Sequence, residues 1–173
     1  MSYVETQLDT HVPFQPMSDA RAFRTALGRF TTGITVVTSM SQDQPIGITV
    51  NSFSSLSLKP ALVMWSADKN SSRHDAFVQA DSFAVHVLSS SQQDVCNAFV
   101  RSANGFDGLN LRFNKNNVPI IGGCLAVFEC TRVALHDAGD HTIIVGEVTL
   151  AQERPGEPLI FVNGSIGAPG NAS

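Results

Sequence analysis

The alternation of apolar and polar positions divides this chain into short extended segments with a few helical turns between them. Residues 1–17 carry no period, and Pro13 and Pro16 interrupt any element, so they read as an N-terminal arm. Residues 18–167 form one patterned domain, followed by a Gly/Ala/Pro tail over 168–173 that is expected to be mobile. Ser18 is a candidate N-cap for a helix with Phe23, Ala26, Leu27 and Phe30 at helical spacing, ending between Gly28 and Phe30. The β-branched run 31–39 predicts a strand. A polar turn at 41–45 then hands over to a second strand from Gly47, which makes a hairpin. The continuous apolar run 61–65 predicts a strand buried on both faces. After it come a polar loop at 66–72 and a short helix at 73–80 capped by Ser71 or Ser72, then a strand at 83–88. Ser91 and Asp94 have capping-box spacing at the head of a further helix. Residues 101–118 read as irregular, 124–136 and 141–153 as two long strands joined at 138–140, and 159–163 as the last strand. Six or seven strands, few helices and no βαβ rhythm predict a mainly β fold, an antiparallel barrel with short peripheral helices.

Composition narrows what such a barrel does. With 173 residues, one domain can bury a substantial core. Only 15% of residues are charged against 43% hydrophobic, which calls for burial beyond one subunit and points to a homodimer. The net charge of −4 and the lack of a Lys/Arg cluster argue against a nucleic-acid partner. No apolar run is long enough to cross a membrane, and the first residues lack the features of a signal peptide, so a cytoplasmic location is expected. Cys96, Cys124 and Cys130 have no metal-ligand spacing and read as reduced core thiols. Cys124 and Cys130, six apart, would share one strand face.

The candidate chemistry centres on residues 47–60, which open as a strand and turn hydroxyl-rich at Asn51, Ser52, Ser54, Ser55 and Ser57. Asn and Ser suit a pleated surface poorly and suit a ligand well. If strands 46–53 and 61–66 pair, Thr49, Asn51 and Ser52 lie beside the 66–72 loop. That loop carries Lys69, Ser71 and Ser72 into a helix N-terminus, a combination that can hold a phosphate monoester. Taken alone, the loop reads first as a capped helix with a solvated lysine. His141, after a Gly-Asp turn, can contact a ligand or cap the hairpin. His74 falls in a polar helix, and His86 reads as a satisfied core group. No nucleophile triad, metal spacing or carboxylate pair stands out, so an enzyme built this way needs a cofactor.

Four segments in order, residues 23–38, 47–60, 139–148 and 158–161, resemble the flavin reductase-like family, the small reductase components of two-component flavin-dependent monooxygenases. The resemblance spans roughly residues 20–167. It implies an FMN-binding split β-barrel, usually homodimeric, that passes hydride from NAD(P)H to flavin N5 for use by a partner monooxygenase. FMN is favoured over FAD. Position by position it implies that Thr49, Val50, Asn51 and Ser52 line the isoalloxazine and ribityl chain. Residues 66–72, Ser66 and Ala67 among them, hold the rest, with Lys69, Ser71 and Ser72 near the phosphate and His141 near the nicotinamide. Family members often carry an aromatic residue where this chain has Ile166. The rival reading is a non-catalytic flavin-binding split barrel, which would have no use for the Gly139-Asp140-His141-Thr142 turn.

Overall fold

The computed structural model describes residues 13–169. Ser18 closes a turn onto the Gln15 carbonyl (3.0 Å), and the cap of α1 (Ala20–Leu27) is Asp19, which accepts from the Ala22 N–H at 2.8 Å. The helix stops at Gly28 and buries none of its own residues, so its apolar stripe does not pack into the core of this chain. The predicted strand at 31–39 is two strands, β1 (Thr32–Gly33) and β2 (Thr35–Ser41), which belong to different sheets. Between them Ile34 is buried, with its N–H bonded to the Leu159 carbonyl.

The hairpin of β2 with β3 (Gln44–Val50) forms as expected, its turn made by Gln42 and Asp43 at positive φ. The serine-rich run beyond it is not a turn: residues 54–58 form β4 (Ser54–Leu58), which pairs with β5 (Ala61–Asp68). β5 is also not buried on both faces. Val63, Trp65 and Ala67 point inward and alternate with more exposed neighbours. Next come α2 (His74–Gln79), β6 (Ser82–Val87) and α3 (Gln93–Arg101). No side chain caps α2; the N-cap is Arg73, so neither Ser71 nor Ser72 has that role. The capping box ahead of α3 is formed by Ser89 and Gln92, two residues before the predicted pair. The irregular stretch contains β7 (Leu111–Phe113), paired with β8 (Pro119–Ile121). β9 (Ala126–Ala138) and β10 (His141–Glu153) form the long hairpin, and β11 (Ile160–Val162) and β12 (Ser165–Gly167) end the described chain.

Seven strands run in the order β3-β2-β6-β9-β10-β5-β4, every neighbour antiparallel. The two edge strands, β3 and β4, are consecutive in the chain, so residues 51–53 close the sheet into the expected split barrel. Side chains alternate between its two faces. Val37, Trp65, Phe83, Val85 and Ile144 pack in one cluster, and Val36, Ala84, Phe99, Ile121 and Leu159 in the other. Gly146 is needed at the long hairpin's bulge, because a Cβ there would lie 2.4 Å from the Phe83 ring. Cys124 and Cys130 do not share a face. Cys124 lies before β9 and packs in one cluster while Cys130 packs in the other. Burial pushes the Cys124 thiol up to about 11 and Cys130 up to about 12, so both are inert at neutral pH.

Candidate functional site

One hydroxyl ties the segment between the two edge strands to β5. Ser52 leaves β3 and reaches across to β5, where its Oγ accepts from the Ser66 N–H (3.0 Å) and donates to the Ser66 carbonyl (3.1 Å). Ser52 does therefore meet the 66–72 segment, at Ser66. It does so through this bridge, because strands 46–53 and 61–66 do not pair. Along β5, Ser66 pairs with Ile143, Ala67 with Thr142 and Asp68 with His141. His141 is thus two residues along the ladder from the bridge, about 7 Å.

The other expected site residues divide by how their polar groups are used. Thr49 donates to the Cys96 carbonyl (2.8 Å) and ties β3 to α3. The Val50 carbonyl accepts from Thr35 Oγ1 (3.0 Å), while its side chain packs against the core. Ala67 is 2% exposed and belongs to the core. Lys69 forms an ion pair with Asp137 and also donates to the Gly139 carbonyl (2.6 Å), while its own N–H bonds the Asp140 carbonyl. That pins the start of the loop to the long hairpin's turn. Ser71 Oγ accepts from the Arg73 N–H (3.3 Å), and Ser72 is exposed.

Arg73 was not anticipated from the sequence. Its guanidinium donates to the carbonyls of Phe99 (2.6 Å), Val100 (3.3 Å) and Gly47 (3.4 Å). It thereby caps the C-terminal end of α3 and holds the 69–72 loop against β3. Burial lowers its pKa from the ordinary value, though an arginine stays charged.

His141 projects a half-exposed ring from the head of β10. Its Nδ1 is 2.7 Å from Asp140 Oδ1, and this hydrogen bond holds the Asp140 carboxyl below its usual range. The pairing makes Nδ1 the protonated nitrogen and leaves Nε2 without a partner among the described residues. Next to it, His74 links Asp75 (2.8 Å) to Thr142 (2.9 Å) and fastens α2 to β10.

A cavity of about 890 Å³ adjoins the bridge. Asn51, Ser52 and Phe53 make one wall, and the end of α1, β1 and Phe161 make the other. Its size falls in the range of small-molecule sites, roughly 300–1,000 Å³. Thr32 lines it, and the Thr32 hydroxyl is buried without a hydrogen-bond partner. Asn51 likewise has no side-chain partner among the described residues. Residues 66–72 and His141 do not line this cavity; Ser52 alone belongs to both groups. The wall from α1 and β1 has no local signal in the sequence, because the helical spacing of Leu27 and Phe30 does not say what they face. A separate cavity of about 270 Å³ lies near Arg112, Cys124 and Arg154. Its arginines are already bonded, Arg112 to Glu129 and Arg154 to the Gly123 and Cys124 carbonyls.

Among the described residues no cluster of His, Cys, Asp and Glu could hold a metal, and no helix is long and apolar enough to cross a membrane.

Known proteins resemble this chain along nearly its whole length. The FMN reductase (NADH) of Agrobacterium fabrum is 54% identical over 157 residues, covering 91% of this chain and 90% of that protein. The reductase subunit of a flavin-dependent monooxygenase from Mycobacterium tuberculosis is 39% identical over 150 residues, 84% of this chain and 80% of its own. The solved NADH:FAD oxidoreductase of Streptomyces globisporus superposes with a TM-score of 0.83 at 34% identity, covering 92% of both chains. The same enzyme is also known in complex with NAD and FAD fragments. Residues 27–169 match the family model described as flavin reductase like domain. With its fold and its sequence in agreement, this chain belongs to the flavin reductase-like family.

Proposed function

We propose that this chain is an NAD(P)H-dependent flavin reductase, acting on FMN with FAD as a second flavin, and that it supplies reduced flavin to a partner monooxygenase. The observation that carries this reading is the Ser52–Ser66 closure beside a cavity holding unused polar groups. The site fits a flavin: the Thr32 hydroxyl and the Asn51 amide are both left without protein partners at the cavity. A buried polar group left unpaired, as the Thr32 hydroxyl is, gains free energy when a ligand completes it, and the exposed Asn51 amide is free to exchange water for a ligand.

Bound flavin supplies an N5 that accepts hydride from nicotinamide. This chain's residues supply the frame. Thr49 and Val50 fix the strand end through their bonds to α3 and β2. Asn51 offers an amide donor where the ring system would lie, Ser52 holds the closure at its edge, and backbone from Ser66 and Ala67 continues the site across that bridge. Ser71 and Ser72 would hold the phosphate, with Lys69 adding positive charge from within its ion pair. Asp140 holds Nδ1 of His141, so Nε2 can orient the nicotinamide amide or move a proton at the rim.

The functional unit in this reading is residues 18–167, acting as a homodimer. Met17 (98% exposed), Leu27 (57%) and Phe30 (75%) give one chain an apolar surface that a second copy would cover. Three buried free thiols agree with a reducing, cytoplasmic setting. The test is titration of the protein with FMN, followed by anaerobic addition of NADH and of NADPH. Saturable fluorescence quenching at micromolar FMN and bleaching of the flavin by a reduced nicotinamide are expected. Binding without bleaching would leave a flavin-binding module, and no binding would overturn the reading.

A further inference from the structure

Arginine is concentrated at α1, which buries none of its own residues. Arg21, Arg24 and Arg29 fall within nine residues of a chain whose net charge is −4. Arg24 lines the 890 Å³ cavity and also a second cavity of about 290 Å³ on the other side of Gly28. The second cavity is bounded by Arg24, Thr25, Gly28, Arg29, Asn163 and Gly164, so the two share Arg24, Gly28 and Gly164. The shared wall is firmly built. Asn163 and Gly164 turn the β11–β12 hairpin at φ 51° and 81°, a pair of positive angles that Asn-Gly tolerates. The Asn163 N–H bonds the Gly28 carbonyl (2.8 Å), and Arg29 Nη1 donates to Asn163 Oδ1 (3.1 Å). Arg24 has no protein partner among the described residues. One guanidinium is therefore oriented and the other is free, on either side of a small pocket that opens beside the larger one. A planar guanidinium pair of this kind suits phosphate oxygens.

We propose that Arg24 and Arg29 form a subsite for the diphosphate bridge of a dinucleotide, reached from the ligand in the larger cavity. The proposal rests on the flavin-reductase reading. The chemistry is common to NAD(P)H and FAD, and neither FMN nor nicotinamide mononucleotide has it. A purely structural role, in which the arginines only complement the negative end of α1, makes no distinction between these ligands.

ADP is the binding probe, titrated by calorimetry into the full chain and into Arg24→Gln and Arg29→Gln. Each substitution should weaken ADP by about fivefold, between the yield of an exposed ion pair and that of a charged hydrogen bond. The wild-type affinity should fall with added salt, and Arg24→Lys and Arg29→Lys should recover part of the loss. Two ratios then identify the source of the diphosphate. A fall of about fivefold in the kcat/KM ratio of NADH to reduced nicotinamide mononucleotide assigns it to the nicotinamide cofactor. A matching fall in the affinity ratio of FAD to FMN assigns it to the flavin. Unchanged ADP binding in both Gln variants overturns the proposal, as does a parallel loss for mononucleotides and dinucleotides alike. If wild-type protein neither binds FMN nor oxidises NADH with it, the reductase reading fails, and the ADP titration still judges the subsite separately.

Discussion

His86 and Thr32 mark two regions in which the same fold treats polar groups in opposite ways. Around His86, burial is complete and nearly every polar atom is paired. The ring donates from Nδ1 to the Val36 carbonyl (3.0 Å) and accepts the Ile121 N–H at Nε2 (3.1 Å). Nearby, Glu129 is 6% exposed yet bonded by Arg112 (2.8 Å) and Asn114 (3.0 Å), and Thr38 donates to the Pro119 carbonyl (2.6 Å). Around Thr32 the pattern reverses: its own hydroxyl is buried and unpaired, and the exposed Asn51 amide and Arg24 at the same cavity have no partners among the described residues, as Nε2 of His141 has none on the far side of the Ser52 bridge. Polar groups that the fold uses up hold the barrel together, and those it leaves unpaired collect along its closure and rim. Trp65 is the exception in the core, since its indole N–H is buried without a partner and the packing does not explain it.

The scaffold side of this contrast breaks hardest at His86. His86→Ala deletes a fully buried ring and orphans both the Val36 carbonyl and the Ile121 N–H, so a loss of about 4 kcal/mol is expected in urea unfolding. The same site predicts a pH dependence. Burial lowers the His86 pKa from 6.5 to about 4, chiefly because the charged ring would lie in an apolar interior. The unfolded chain then takes up a proton that the folded chain refuses. Stability is therefore fully present above about pH 6.5 and declines as pH falls toward 4, by about 3 kcal/mol over the window. Unfolding midpoints at pH 7 and pH 4.5 should show this decline in the wild type, with a shallower one in the variant. A flat profile in the wild type would contradict a neutral, doubly bonded His86.

The sequence reveals the scaffold better than the site, for a physical reason. A local period shows which face of an element is apolar, and that is enough for β10, whose bounds at His141 and Glu153 match the predicted ones. It also picks out the Gly139–Asp140 turn and the hydroxyl-rich end of β3. It cannot show what an apolar face packs against. Phe23, Leu27 and Phe30 have the spacing of a core stripe and yet lie exposed, Leu27 and Phe30 at a cavity wall. Ser54, Ser55 and Ser57 resemble a turn because β4 is an edge strand, defined by its ladder to β5 and not by its side chains. The Ser52–Ser66 bridge depends on the barrel closing, a contact that no local window contains. Arg73 is hidden in the same way, since its partners are backbone carbonyls 26 and 27 residues away.

On the open side of the comparison, His141 is the sharper instrument for catalysis. If Nε2 orients the nicotinamide, His141→Ala removes one ligand hydrogen bond, worth about 0.5–1.5 kcal/mol, or roughly threefold to tenfold in kcat/KM. FMN affinity should hardly change, because His141 does not line the cavity beside Asn51. Stopped-flow flavin reduction and a melting curve on the same variant separate the alternatives. An unchanged reduction rate with a lowered Tm would make His141 a turn cap and move it to the scaffold group.

The smallest expected effect is the most discriminating, because its sign differs between the two states of the protein. Thr32 Oγ1 is buried without a partner in β1, next to the cavity. Thr32→Val keeps the β-branched shape that a strand favours and removes only the hydroxyl. A hydroxyl that merely fills space costs stability through its lost hydration, so the ligand-free protein should gain about 1 kcal/mol or less. A hydroxyl kept for a ligand should be missed once the ligand is bound, and flavin affinity should then fall by about threefold. Unfolding of the ligand-free variant and an FMN titration measure the two signs independently. A gain in stability with undiminished flavin affinity would place Thr32 with Trp65 as an unexplained orphan. A loss of stability would mean that the hydroxyl serves the fold after all, and the division between used and unused polar groups would no longer pass through this residue.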